Sequence, residues 1–194
     1  KQNPKRGMTT IRRVAVVGGG TMGNGIAHVF AQNGRDVTLI DVDDARVSAA
    51  LQTIRSNLDR QVKKGTLSAA DADATMKRIR TSTERSAVAG SELIVEAVPE
   101  KPDLKIEVLR DLDRAAPNAI LATNTSSISI SALAGKTSKP ERVIGMHFMN
   151  PVPVMKLVEV IRGIQTSDET TRAVTSLAEE LGKTPVVVRD SPGF

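Results

Sequence analysis

An apolar run, Val14-Ala15-Val16-Val17, leads straight into Gly18-Gly19-Gly20-Thr21-Met22-Gly23, and no other stretch constrains the fold as tightly. Met22, Ile26, Val29 and Phe30 then repeat at helical spacing, and Val37-Thr38-Leu39-Ile40-Asp41 reads as a second strand. Strand, glycine turn, helix and strand in this order make a βαβ unit of the dinucleotide-binding type. Gly18 permits the tight turn off the strand, Gly20 lets the backbone approach a pyrophosphate, and Gly23 lets the helix pack closely on the sheet. The N–H groups at the helix start face the phosphates. Asp41 stands roughly 20 residues beyond the glycines, where a carboxylate can accept both hydroxyls of an adenosine ribose. That favours NAD over NADP, because a 2′-phosphate would meet a carboxylate and no Arg or Lys directly follows Asp41. The rival reading, a Gly-rich turn with no ligand, explains the glycines but not the ordered succession that ends on Asp41.

After Asp41 the spacing of Val47, Leu51, Ile54, Leu58 and Val62 predicts a long helix that Gly65 ends. Ser68 followed by Asp71 has the form of a capping box, so a second helix is expected from about Ser68 to Ile79, completing a helical hairpin with Lys63-Lys64 at its tip. Cations at a helix end also suit the helix dipole, with no ligand involved. Further strands are expected at Glu92–Val98, Ala119–Thr123, Val143–Phe148, Lys156–Ile161 and Pro185–Arg189, with helices at Leu104–Ala115 and about Asp168–Leu181. The alternation implies a doubly wound α/β sheet that collects ligands outside the carboxyl ends of its parallel strands.

Composition narrows the chemistry. The net charge is +5, and with three Phe and no Trp or Tyr there are no aromatic platforms of the kind single-stranded nucleic acid uses, so no nucleic-acid partner is expected. A mildly basic surface suits a polyanionic small molecule such as a nucleotide or coenzyme A, although a solvated Lys/Arg surface accounts for it as well. The absence of cysteine excludes disulfides and thiolate catalysis, and two His residues argue against a metal site. No apolar run approaches the length of a membrane span, and Lys1–Gly7 lacks the apolar core of a signal peptide, so a cytoplasmic protein is expected. Met8 reads as a natural start, so Lys1–Gly7 read as an expression remnant or the tail of an upstream linker, and residues 1–10 as a tag or disordered tail ahead of the domain.

Oxidation of an alcohol by such a unit needs a base for the hydroxyl proton, and His is the side chain best poised near neutral pH. His28 lies inside the first helix, where a partly buried or surface imidazole is expected. His147, in Met146-His-Phe-Met-Asn-Pro151, stands at a strand end where ligands collect. Glu159 lies on the next strand among apolar residues, where a carboxylate has little reason to be buried unless paired. His147 could be that partner, fixed in tautomer as in a Ser-His-Asp triad; a Glu facing water beside an unrelated His is the alternative.

Gly18-Gly-Gly-Thr-Met-Gly-Asn-Gly-Ile26, Val95-Glu-Ala-Val-Pro-Glu100, Asn124-Thr-Ser-Ser-Ile128, His147-Phe-Met-Asn-Pro-Val-Pro-Val-Met-Lys-Leu-Val-Glu-Val160 and Asp190-Ser-Pro-Gly-Phe194 resemble the successive signatures of the 3-hydroxyacyl-CoA dehydrogenase family, particularly its 3-hydroxybutyryl-CoA members. The resemblance runs from Ile11 onward. It implies a Rossmann-type domain over residues 11–194 that takes NAD at Gly18, Gly20, Thr21, Met22, Gly23 and Asp41. It also implies NADH-linked interconversion of (S)-3-hydroxyacyl-CoA and 3-oxoacyl-CoA, with short chains such as acetoacetyl-CoA preferred. His147 then acts as general base or acid, Glu159 orients it, and Ser126 contacts the reacting oxygen and the nicotinamide. Asn150 falls near the nicotinamide, Glu100 and Lys105 at the cofactor ribose and amide, and Asn124 close by. Ser127 is expected as an N-cap. The hairpin would receive the CoA moiety, with a basic contact at Lys64 and a hydroxyl or amide at Ser56 or Asn57. The family continues past Ser-Pro-Gly-Phe into an Asn and an all-helical dimerisation domain, so the chain is expected to be a fragment of a homodimeric enzyme with little activity alone. Two rivals remain at this stage: a sister dehydrogenase of a non-CoA 3-hydroxy acid of the sugar-acid type, which would not need Lys64, and a non-catalytic NAD-binding module.

Overall fold

The computed structural model describes residues 10–191; the expected leading tail as far as residue 9, and the last three residues of the Asp190–Phe194 motif, lie outside the described residues. Eight strands form one sheet in the order β3-β2-β1-β4-β5-β6-β7-β8. They are β1 (Arg13–Val17), β2 (Asp36–Ile40), β3 (Ile79–Ser82), β4 (Leu93–Glu96), β5 (Ile120–Thr123), β6 (Val143–Phe148), β7 (Leu157–Arg162) and β8 (Thr184–Arg189). The six strands from β3 to β6 are parallel, β7 runs antiparallel to β6, and β8 is parallel to β7. The helices are α1 (Thr21–Gln32), α2 (Asp44–Lys63), α3 (Ala69–Lys77), α4 (Pro102–Ala115), α5 (Ile130–Ala134) and α6 (Asp168–Glu180).

The unbroken apolar character of β1 follows from its place between two cores. Val14 and Val16 pack with Ile26 and Phe30 of α1 and Ile54 and Leu58 of α2, while Ala15 and Val17 pack with Val108, Leu109 and Leu112 of α4. A strand covered on both faces has no polar side to alternate with. Chain order reverses between β1 and β4, which leaves a crevice at their carboxyl ends.

The hairpin forms as its sequence requires. The Asp43 side chain caps α2 by accepting from Arg46 N, and Gly65 follows the helix end at φ +72. The Ser68 hydroxyl accepts from Asp71 N at 3.0 Å, the expected cap of α3. That helix stops at Lys77, however, and Ile79, expected as its last residue, opens β3 beside β2. Both ends of β3 are half-buried and its middle exposed, so this edge strand has no alternating apolar signature to read. The strand expected over Glu92–Val98 is shorter because side chains take over at both ends. The Glu92 carboxylate accepts from Arg12 N and Arg13 N, and the Glu96 carboxylate draws in Val98 N. Helix α5 has only five residues and no usable period, and its cap is Ser129, accepting from Ala132 N, rather than Ser127.

Candidate active site

The glycine turn is shaped by close approach. Gly18 sits at φ +100, and a Cβ there would lie 2.6 Å from Ala97 O; a Cβ on Gly23 would lie 1.6 Å from Gly18 O. Only glycine lets α1 start this close to β1 and β4. A Cβ on Gly20 would meet nothing within 4 Å, because Gly20 faces a cavity of about 730 Å³ over the carboxyl ends of the strands. This cavity runs from Asp41 and Val42, past Gly18, Gly20, Thr21 and Met22, to Glu100, Asn124, Ser126, His147 and Asn150. Its length, the bare backbone at Gly20 and a carboxylate at one end fit a dinucleotide. A second hollow of about 900 Å³ opens around Arg13, Glu92 and Asn118 at the other end of the strands, and none of the expected site residues line it.

At the first end, Asp41 Oδ2 accepts from Gly19 N and Oδ1 from Val42 N, each at 2.7 Å. Both oxygens keep lone pairs for ribose hydroxyls. Arg46, which the residues adjoining Asp41 do not signal, is brought back to the cavity wall by the first turn of α2, where it pairs loosely with Asp43 at 3.6 Å. Thr83 and Arg85 were missed for a related reason, since they follow the unforeseen β3. The Arg85 guanidinium is held by Glu107 at 2.9 Å and Asp111 at 2.5 Å, and these bonds, Glu107 first, outweigh its desolvation and raise its pKa.

At the other end, β6 and β7 place His147 directly opposite Glu159, so both side chains leave the sheet on one face. His147 Nδ1 and Glu159 Oε2 are 2.8 Å apart. Since a carboxylate can only accept, Nδ1 is the donor of this bond, which leaves Nε2 as the lone-pair nitrogen of the neutral imidazole. Asn124 Oδ1 accepts from Phe148 N at 2.9 Å, tying the end of β5 to the residue after His147. Ser126 is exposed beside them; its backbone N–H donates to Glu100 Oε1 at 2.9 Å and its hydroxyl lies 3.4 Å from the same oxygen. Lys105 reaches the cavity wall, but its ammonium is engaged with Glu96 Oε1 at 2.8 Å, Val98 O at 3.1 Å and Glu100 Oε2 at 3.3 Å. Asn150 is exposed on the loop that leaves β6.

The hairpin residues stand apart from this cavity. Ser56 and Lys64 are exposed, and the half-buried Asn57 accepts from Arg60 through its Oδ1. His28 departs from expectation, being fully buried, because it faces the packed side of α1. Its Nε2 lies 2.8 Å from Gln32 Oε1 and 3.2 Å from Gln61 Nε2. Among the described residues no cluster of three or more metal-ligating side chains occurs, and no helix is long and apolar enough to cross a membrane.

Residues 13–191 match the family model of the 3-hydroxyacyl-CoA dehydrogenase NAD binding domain. A 3-hydroxybutyryl-CoA dehydrogenase of Bradyrhizobium diazoefficiens is 44% identical over 185 residues, covering 95% of this chain and 63% of the relative. The 3-hydroxyadipyl-CoA dehydrogenase of Escherichia coli is 41% identical, over 96% of this chain and 40% of its own length. The crystal structure of (S)-3-hydroxybutyryl-CoA dehydrogenase from Ralstonia eutropha superimposes with a TM-score of 0.94 at 49% identity, covering 95% of this chain and 66% of that one. The chain thus spans less than two thirds of each of these relatives. With the glycine turn, the carboxylate after β2 and the eight-stranded sheet all in place, the chain belongs to the 3-hydroxyacyl-CoA dehydrogenase family, as its NAD-binding domain.

Proposed function

We propose that this domain serves an NAD-dependent (S)-3-hydroxyacyl-CoA dehydrogenase acting on short acyl chains, with His147 as its acid–base group. The observation that carries the reading is the His147–Glu159 bond of 2.8 Å at the end of a cavity that begins at Asp41. His147 Nε2 takes the proton of the 3-hydroxyl, and the carboxylate of Glu159 holds the imidazole in the required tautomer and stabilises the cation that forms. NAD, when bound, supplies the hydride acceptor. Ser126 offers its hydroxyl to the reacting oxygen. In the reverse direction the protonated His147 returns its proton to the 3-keto oxygen. The CoA moiety lies toward the hairpin, with Lys64 meeting a phosphate. The full-length enzyme is further read as a cytoplasmic homodimer; the relatives extend well beyond the region this chain matches.

Steady-state reduction of acetoacetyl-CoA by NADH in the full-length enzyme tests the role of His147. His147→Gln should lower turnover roughly 10²- to 10⁴-fold with little change in NADH affinity. Glu159→Gln should act alike and move the low-pH limb of the rate profile. Near wild-type turnover in either variant would remove the pair from the mechanism.

A further inference from the structure

At the end of β4, Glu96 is 0% exposed and accepts from Lys105 Nζ at 2.8 Å, Val98 N at 2.7 Å and Thr123 Oγ1 at 2.6 Å. The Lys105 ammonium, equally buried, spends its other two donors on Val98 O and Glu100. One cation therefore stands between two carboxylates, and the surplus negative charge lies on the one that faces the cavity. Glu96 is closed off, whereas the Glu100 side chain is 38% exposed and lines the cavity beside Ser126. Burial alone would raise the Glu100 carboxyl. The bonds from Thr125 and Ser126 and the charge of Lys105 overcome this and hold it below its ordinary value. The His147–Glu159 pair nearby adds a carboxylate and no permanent cation.

A base at His147 can serve a carbon that gives up hydride only if the redox end of the cofactor lies at that end of the cavity. The nicotinamide ring is a cation when oxidised and neutral when reduced; the rest of the molecule is the same in both states. We infer that Glu100 is a specificity-determining residue that biases this site toward NAD+ over NADH, with Glu96 and Lys105 fixing its place. The inference rests on the dehydrogenase reading above. It asks more of Glu100 than a hydrogen bond to the ribose or a brace for the Ser126 loop, because either of those would change the affinity for both redox forms by the same factor. Lys105 alone would bias the site the other way, but its charge is answered at 2.8 Å by Glu96.

Calorimetric titrations of NAD+ and NADH into the wild-type chain, Glu100→Gln and Glu100→Asp separate these roles. The ratio of the NADH Kd to the NAD+ Kd should fall roughly three- to tenfold in Glu100→Gln, the size of a charge term partly screened by water. Glu100→Asp keeps the charge and should keep the wild-type ratio even where both affinities drop. In the wild type the same ratio should fall as salt rises, which tests the charge without any substitution. Equal losses of both forms in Glu100→Gln, or a wild-type ratio indifferent to salt, would overturn the inference while leaving the dehydrogenase reading intact. Binding of neither form by the wild type would overturn both.

Discussion

The chain's two imidazoles have opposite surroundings. His147 opens onto the cavity with a carboxylate behind it, whereas His28 is fully buried between Gln32 and Gln61, with its Nδ1 unpartnered. Burial is the main cause that lowers the His28 pKa; the bond to Gln32 opposes it and the nearby Lys183 adds to it. A lowered folded value means that the unfolded chain binds the proton more readily. The stability tied to neutral His28 is therefore complete above the ordinary histidine value of about 6.5 and is lost as pH falls below it. Melting curves between about pH 8 and pH 5 should show this loss in the wild type and a flatter profile in His28→Gln; identical slopes would count against it. On the hairpin, Lys64→Ala should raise the KM for acetoacetyl-CoA mainly at low salt, because an exposed charge contact is screened as ionic strength rises. Kinetics unchanged across a salt series would favour a substrate without CoA.

Among the elements, α5 depends most on a partner distant in sequence. The Asp190 carboxylate accepts from Ser129 Oγ at 2.8 Å, Ile130 N at 3.1 Å and Ser131 N at 2.8 Å, so the residue after β8 closes the start of a helix some sixty positions earlier. Desolvation would raise the Asp190 carboxyl, but these bonds prevail and lower it. Its contribution is present at neutral pH and is lost as pH falls through the lowered value. Asp190→Ala should cost about 1–2 kcal/mol in urea denaturation at pH 7, the usual worth of a helix cap, and the difference from wild type should shrink in acid. An unchanged midpoint at neutral pH would refute the cap. The linkage could not be read from the chain, since a five-residue helix has no period and the carboxylate that braces its Ser129 cap follows β8, some sixty positions later. The long α2, α4 and α6 were legible because each carries an apolar stripe that the sheet buries.

For the molecule as a whole, the sequence revealed what local rules decide and hid what register decides. The first βαβ unit was legible because the turn residues, apolar runs and Asp41 each have one mechanical role. Edge strand β3 was not, because it has only four residues and neither of its faces is fully buried, so no apolar alternation marks it. Glu159 could be suspected as an unpaired carboxylate among apolar residues, but only the antiparallel register of β6 and β7 sets it opposite His147. Lys105 was foreseen on the cavity wall, whereas its capture between Glu96 and Glu100 needs the fold of α4 against β4. The central claim is that the cavity beginning at Asp41 holds NAD, and paired fluorescence titrations of the protein with NADH and NADPH test it most directly. NADH should bind saturably, NADPH more weakly by about tenfold or more because a 2′-phosphate meets the Asp41 carboxylate, and the gap should narrow in Asp41→Ala. Equal affinity of the wild type for the two cofactors, or an unchanged gap in the variant, would contradict it.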